Sequence, residues 1–258
     1  MSLPDIATPL SILSKQRAYV APGVLFLLPV AAYCASSGLF TSVEQVSVLV
    51  VALYVAANLF AFFPRTLGEE IEKDLFPWDS VRAASSMLRH RDGRLDVETK
   101  RRYHLFLAAK LNRAFPTSAE EAWHPQEADE LYIAAAKWLE VRAKVEKGVG
   151  HIHASKDWYL FMRSCFAVKR AAIGFAILIA AWVLVCNKIL TWHGLVLHAF
   201  VTMTPATQFG FYACIVLAAV WLFFTEERVK HADFTCGGEL LSLCDILESK
   251  KNDAEPKK

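Results

Sequence analysis

The chain has 258 residues, of which 55% are hydrophobic, and its mean hydropathy is +0.30. These values exceed those of a typical soluble domain and indicate a membrane protein, whereas the formal net charge of +2 says little because the charges are segregated along the chain. Six cysteines occur without a C-x-x-C spacing, which argues against a disulfide framework and favours buried thiols in a reducing compartment.

Four apolar stretches approach the roughly 20 residues that a helix needs to cross a bilayer. They are residues 19–40, 46–63, 171–190 and 205–224. Pro22 and Pro29 lie inside the first stretch, which a transmembrane helix tolerates because neighbouring groups satisfy the freed carbonyls. Buried helices of a soluble domain are the alternative, but runs without central charges fit amphipathic periodicity poorly.

Basic residues flank the predicted spans asymmetrically. One side carries Lys15, Arg17, Arg65, Lys169, Arg170, Arg228 and Lys230. On the other side, the loop "TSVEQ" has no cation and the loop after the third span has only Lys188. Because cytoplasmic loops are enriched in Lys and Arg, the pattern predicts a multi-pass protein of the cell inner membrane with both termini cytoplasmic.

The predicted fold class is an all-α integral membrane protein, with two transmembrane helical hairpins and a helical cytosolic domain inserted between them. The boundaries are residues 1–63 for the N-terminal hairpin, 64–169 for the cytosolic sensor domain, 170–225 for the C-terminal hairpin and 226–258 for a cytosolic tail. The tail is expected to contain a short amphipathic helix that packs on the inserted domain or on a neighbouring subunit through Leu240, Leu243, Cys244 and Leu247.

Helix starts in the inserted domain are indicated by capping residues or by a proline at the first position. They are Asp79 or Ser80, Asp96 with Thr99, Ser118 with Glu121, and Pro125. The inward stripe of the helix after Asp96 is expected to hold His104, Leu107, Ala108, Leu111 and Phe115. The apolar face of the helix after Pro125 is expected to hold Ala128, Leu131, Ala135, Trp138 and Val145. Solvent-exposed helix surface is predicted for Glu69, Glu70, Glu72 and Asp74.

Charge is divided unevenly within the inserted domain. Residues 82–113 contain nine cations and three carboxylates, whereas residues 114–146 contain three cations and seven carboxylates. Lys100, Arg101 and Arg102 stand near a predicted helix N-terminus, where the helix dipole disfavours cations. Free N–H groups and convergent guanidinium groups at such an end can bind phosphate.

The sequence therefore predicts a site for a nucleotide or short oligonucleotide, in which Tyr103 and His104 stack on a base. The candidate residues are Arg89, His90, Arg91, Arg94, Lys100, Arg101, Arg102, Tyr103 and His104. Two alternatives remain open at this point. The cations could face anionic lipid head groups, or they could pair with the acidic stretch of the same or a neighbouring subunit.

Weakly polar residues in and beside the predicted spans are candidates for lining a pore. They are Ser47, Asn58, Thr202, Thr204 and Thr207. Asn58 is also expected to form a hydrogen bond with a neighbouring helix. Motifs of hydrolases, metalloproteases, P-loop proteins and dinucleotide-binding enzymes are missing from the sequence, so we expect no enzyme activity, no cofactor and no metal site.

Three segments resemble bacterial multi-pass membrane effectors of nucleotide-signalled antiphage defence, nearest to those of the Hailong system. The segments are "LFPWDS", "LRHRDGRLDVETKRRYHLFL" and "PTSAEEAWHPQEADELYIAAAKWL", and the similarity covers roughly residues 64–170. The resemblance implies a homo-oligomeric ion channel or membrane-disrupting complex in antiviral defence and abortive infection. It also implies control by a nucleotide or short DNA ligand and a nucleotidyltransferase encoded nearby. The alternative is a non-conducting membrane scaffold that docks a cytosolic protein.

Overall fold

The structure is a computed structural model that describes residues 9–38, 42–75, 83–146, 148–191 and 194–254. Helices make up most of it: α1 (Pro9–Ser36), α2 (Val43–Phe60), α3 (Phe62–Leu75), α4 (Ala83–Leu88), α5 (Val97–Leu111), α6 (Ser118–Trp123), α7 (Pro125–Val145), α8 (Gly150–Cys186), α9 (Leu197–Val201), α10 (Pro205–Leu222) and α11 (Glu226–Ala254). Two short antiparallel strands, β1 (Leu190–Thr191) and β2 (Gly194–Leu195), pair before α9. The predicted helical fold is confirmed.

Four helical segments of the described chain are long and apolar enough to cross a membrane. They are Ala18–Ser36, Val43–Glu72, Gly150–Cys186 and Pro205–Leu222. The prediction of four candidate spans is therefore confirmed at the level of length and composition. The first helix continues through Pro22 and Pro29, as the sequence suggested.

The chain folds into two compact units. Unit 1 comprises Met1–Glu72 and Leu160–Val229, and unit 2 comprises Lys73–Tyr159 and Lys230–Lys258. Unit 1 contains the apolar helices, whereas unit 2 contains α4 to α7 and most of α11. The proposed helix caps at Asp79 and Ser80 lie outside the described residues.

In unit 1, α1 approaches its neighbours at glycine positions. A Cβ atom on Gly23 would lie 2.7 Å from the Ala57 carbonyl oxygen of α2, and one on Gly210 of α10 would lie 2.2 Å from Ser36 Oγ. The Phe26 ring stacks on Phe60 and on Phe175 of α8, with centroid distances of 4.3 and 4.9 Å. Small residues with close backbones are the usual means of helix packing where lipid surrounds the helices.

Replacing Gly23 with Ala is expected to destabilise unit 1 by about 1–3 kcal/mol, because the new methyl group meets a backbone atom that a rotamer change cannot move. The measurement is the thermal unfolding midpoint of the full chain in detergent. Gly174→Ala is the matched control, since a Cβ there meets nothing within 4 Å. Equal midpoints for the two variants would contradict the close approach of α1 and α2.

A buried ion pair lies in unit 1 outside the most apolar part of the spans. The guanidinium Nη1 of Arg163 in α8 pairs with Oε2 of Glu72 in α3, and the Arg163 side chain is buried. Gly68 lies against the same guanidinium, where a Cβ would approach Nε to 3.2 Å. Glu72 is therefore not free helix surface as predicted, because it pairs with a buried cation that is costly to leave alone.

Most of the α2 surface is exposed in the single chain. Ala57 is the residue of α2 that is buried, and the exposed side chains include Val48, Val51, Tyr54 and Leu59. An apolar groove of about 530 Å³ also opens between α1 and α10, lined by Leu28, Ala32, Phe209 and Val216 among others. Contiguous apolar surface of this kind marks contact with lipid or with another protein.

The core of unit 2 is built by α4, α5, α7 and α11. Leu88, Leu107, Tyr132 and Leu139 are fully buried there. The α11 residues Leu240, Leu243 and Cys244 join the same core, and Leu247 packs against it. The predicted amphipathic tail face is confirmed and packs within the unit, but α11 is 29 residues long rather than short.

Two local expectations for unit 2 need correction. The capping box before α6 consists of Thr117 and Glu120 instead of Ser118 and Glu121, because the helix begins one residue earlier than the pattern suggested. On α7, Val145 is 73% exposed and Trp138 is only partly buried, so the C-terminal part of the predicted apolar face turns outward.

Candidate ligand-binding site

The basic segment of unit 2 runs from the end of α4, through a turn, into α5. Asp96 caps α5 by accepting a hydrogen bond from the Thr99 backbone N–H at 2.8 Å, as predicted. That hydrogen bond, together with one from the Thr99 side chain, lowers the pKa of Asp96. Because α5 begins at Val97, Glu98 occupies the first turn and the three cations start at the fourth position. The helix dipole therefore opposes them less than the sequence suggested.

Lys100 is a buried cation that closes the preceding turn. Lys100 is only 5% exposed, and its Nζ donates hydrogen bonds to the carbonyl oxygens of Arg89 and Asp92 at 2.6 and 2.5 Å. These carbonyls follow the C-terminus of α4, where a positive charge is favourable. Lys100 thus stabilises the fold and does not present its ammonium group to solvent.

The arginines of the turn pair with carboxylates of unit 2. Arg89 Nε lies 2.7 Å from Asp129 Oδ1, and Arg91 Nη2 lies 3.7 Å from Asp129 Oδ2. Arg94 Nη1 lies 2.5 Å from Asp92 Oδ2, and its guanidinium sits 3.6 Å from the centroid of the Phe234 ring. The alternative in which the basic and acidic stretches pair within one subunit therefore accounts for Arg89 and Arg91, whereas Arg94 pairs inside the basic stretch.

Arg101 and Arg102 are the more exposed pair. Arg101 Nη2 lies 2.7 Å from Glu98 Oε1, with side chains 67% and 75% exposed. Arg102 Nη2 lies 3.0 Å from Asp245 Oδ1 of α11, with side chains 51% and 43% exposed. Ion pairs this exposed contribute little to stability, so a phosphate could replace either carboxylate at small cost.

The two rings expected to stack on a base are both buried. Tyr103 donates its hydroxyl to Asp245 Oδ2 at 3.0 Å, and burial together with that carboxylate raises the pKa of Tyr103 to about 12. The His104 ring stacks on Phe115 and Tyr132, at centroid distances of 4.8 and 5.8 Å. The expectation for Tyr103 and His104 is thereby corrected, since neither ring leaves a free face for a ligand.

Glu121 connects the turn with α7. The sequence pattern had predicted that it caps α6, and this prediction is wrong. It is buried, and it accepts hydrogen bonds from the His90 backbone N–H at 2.7 Å and from the Tyr132 hydroxyl at 2.8 Å. Burial alone would raise the pKa of Glu121, but these donors hold it below the usual value. The His90 ring donates through Nε2 to the Pro116 carbonyl at 2.9 Å. Both groups therefore hold the turn in place.

The pore candidates satisfy their polar groups locally. Ser47 donates its hydroxyl to the Val43 carbonyl and Asn58 donates to the Tyr54 carbonyl, both at 2.8 Å and both within α2. The hydrogen bond that the structure gives Asn58 therefore lies within α2, and the expected bond to a neighbouring helix stays a prediction. Thr202 donates to the Ala199 carbonyl at 2.9 Å.

At the start of α10, Thr204 caps the helix by accepting from the Thr207 backbone N–H at 3.3 Å, and the two hydroxyl oxygens lie 2.8 Å apart. Four of the five candidate side chains are exposed in the single chain, and the fifth, Thr207, is partly buried.

Asp129 and Asp245 are the partners that sequence reasoning did not single out. Asp129 lies in the acidic stretch, where the pairing alternative pointed to its region but not to the residue. Asp245 lies 142 positions after Tyr103, and a separation of this length leaves no periodic signal. Within the described ranges, no three His, Cys, Asp or Glu side chains are placed to hold a metal ion.

Comparison with known proteins adds no relative to these observations. No protein-family model, no curated protein and no solved structure matches the chain.

Proposed function

We propose that the chain is a multi-pass protein of the cell inner membrane, with both termini and unit 2 in the cytoplasm. It acts as a homo-oligomeric membrane effector in antiviral defence, either as an ion channel or as a membrane-disrupting complex. A nucleotide or short oligonucleotide bound to unit 2 controls it. The spans pair as two hairpins, 1–63 and 170–225, on either side of the cytosolic insertion.

The exposed apolar surface of α2 is the observation that carries the membrane and oligomer parts of this proposal. A helix with valine, leucine and tyrosine side chains exposed along most of its length is unstable in water, whereas lipid or a second copy covers it. Head-to-tail contact of α2 with another copy forms a ring when the rotation between copies closes, and a closed ring of this kind can enclose a pore. Ser47, on the exposed side of α2, would then be available to line it.

Control by a phosphate ligand rests on Arg101 and Arg102. Their carboxylate partners are exposed, so a polyphosphate can compete for both guanidinium groups. Because Arg102 and Tyr103 both contact Asp245, a ligand that takes Arg102 would remove one of the polar contacts that α5 makes with Asp245 of α11. The helix that follows the fourth candidate span would be loosened in this way.

Substitution of Arg101 and Arg102 by Glu is expected to abolish ligand control and leave membrane insertion intact. The measurement is ion flux from liposomes containing the purified protein, with a short single-stranded oligodeoxynucleotide as probe. We expect at least a tenfold loss of apparent affinity, because charge-assisted hydrogen bonds to phosphate are removed. Arg113→Glu is the matched control, since Arg113 is also exposed but lies beyond α5. Unchanged control in the double variant would show that the site lies elsewhere.

A non-conducting membrane scaffold is the second candidate, and the internal pairing of the cations favours it. Lys100, Arg89 and Glu121 hold unit 2 together, which suits a rigid docking domain as well as a sensor. The same liposomes separate the two candidates. Flux under at least one ligand condition supports the effector, and impermeable liposomes under all conditions support the scaffold.

A further inference from the structure

Unit 2 carries a surface where cations and aromatic rings meet between α5 and α7. Phe106 of α5 and Trp138 of α7 contact edge to face, with centroids 6.5 Å apart. Lys110 Nζ lies 5.5 Å from the Phe106 centroid, and the Arg142 guanidinium lies 5.8 Å from the Trp138 centroid. Both rings are only partly buried, so the four side chains form one accessible patch.

The outward side of α7 extends this patch as an apolar stripe bordered by cations. Ala134, Trp138, Val141 and Val145 follow one another at intervals of four, three and four residues, which places them on one side of the helix. Helical geometry puts Arg142 along one border and Lys137 with Lys144 along the other. We call Phe106, Lys110 and these seven α7 residues the basic–apolar face.

The cations of this face have no carboxylate partners in the part of the chain that the structure describes. Lys110, Lys137, Arg142 and Lys144 are exposed, and within the described residues none of them forms an ion pair. The acidic residue of this part of α7, Glu140, pairs with Lys156 at 3.6 Å. Two aliphatic side chains of the α7 stripe stand between these cations, with exposures of 59% for Val141 and 73% for Val145.

Unpaired cations beside exposed aliphatic side chains favour some classes of binding partner over others. A second copy of the same face would bring cations against cations, which opposes self-association. A nucleic acid would leave the exposed aliphatic side chains against phosphate or water, and Lys110 and Arg142 already lie over the two rings on which bases would stack. An anionic bilayer surface matches both features, since head groups meet the lysine and arginine side chains while aliphatic groups enter the acyl boundary.

We propose that the basic–apolar face binds the anionic head groups of a membrane surface. The proposal rests on the membrane location proposed above, but it requires neither conduction nor control by a nucleotide. The cations that would bind lipid in this proposal are different from those near the N-terminus of α5. The cations near the N-terminus of α5 already have partners within unit 2. Binding orders unit 2 on the bilayer and makes its position dependent on lipid charge and on salt.

Lysine acetylation of the full chain in lipid nanodiscs tests this proposal. Retention of the chain in nanodiscs of pure phosphatidylcholine checks the spans independently of the face. When about a third of the lipid is phosphatidylglycerol, Lys110, Lys137 and Lys144 are expected to react about fivefold more slowly, the factor that each cation's attraction to an anionic surface represents. Lys156 and Lys250, also in unit 2, are the internal references. High salt should remove the protection, because it screens charges beyond a few ångströms.

Two matched substitutions separate lipid contact from a general effect of surface potential. Val145→Asp places a carboxylate in the face and should abolish the protection. Val97→Asp changes a valine that is also largely exposed but lies at the start of α5, where a carboxylate suits the helix, and should leave the protection intact. Equal reactivity in neutral and anionic discs would overturn the proposal. So would protection by an oligonucleotide in neutral discs, or protection that depends on protein concentration.

Discussion

Substitution of Lys100 by Met is expected to lower the free energy of unfolding of unit 2 by about 3 kcal/mol. Methionine retains most of the side-chain volume but cannot donate to the carbonyl oxygens of Arg89 and Asp92, which Lys100 Nζ contacts at 2.6 and 2.5 Å. Each buried carbonyl that is left without a donor carries a desolvation cost. The turn between α4 and α5 should open first, because these bonds hold it closed.

Hydrogen–deuterium exchange of the full chain in detergent measures this effect, since it reports unit 2 peptides separately from the spans. The amides of α5 and of the preceding turn should exchange faster in the variant by about two orders of magnitude. Lys110→Met is the matched control, because Lys110 is on the same helix and exposed. If both variants exchange alike, the buried ammonium group does not hold the turn.

The sequence predicted well those parts of the fold that depend on local composition. Four candidate spans follow from uninterrupted apolar runs, and the start of α5 follows from the hydrogen bond that Asp96 accepts from Thr99. Pro125 begins α7 as its position indicated. These features depend on neighbouring residues, which a single sequence displays directly. The capping box at Thr117 was missed by one residue because both threonine and serine cap helices well.

The candidate site was less predictable because its charges are neutralised through tertiary contacts. Sequence shows that Arg102 and Asp245 exist, but not that α11 brings them to 3.0 Å. Amphipathic periodicity predicted Val145 to lie in the core, but the structure exposes it. A helix can carry apolar residues on a side that does not face the core, and periodicity alone does not distinguish the two sides. Composition located the cations correctly within unit 2. Which of these cations are buried, which are paired and which are unpaired depends on how α5, α7 and α11 pack, and the sequence alone does not show this packing.

The buried His104 is expected to make unit 2 less stable as the pH falls. Its Nε2 donates to the Leu88 carbonyl at 2.8 Å, and burial lowers the pKa of His104 to about 4, from an ordinary value of 6.5. His90 and Lys100 oppose its protonation further, whereas Glu121 favours it. The unfolded chain therefore takes up the proton first. Stability is fully present above about pH 6.5 and falls by about 3 kcal/mol between there and pH 4.

His104→Phe isolates this contribution, because phenylalanine can keep the stacking on Phe115 and Tyr132 but cannot titrate. At pH 7 the variant should be less stable by about 1 kcal/mol, since the hydrogen bond to Leu88 is lost. Exchange of α5 amides, corrected for the intrinsic effect of pH, should then show a much smaller loss between pH 6.5 and 4 than in the native chain. His153→Phe replaces an exposed histidine of unit 2 and should retain the native loss. An equal decline in the His104 variant would assign the acid sensitivity to carboxylates such as Glu121, whose pKa is lowered in the fold.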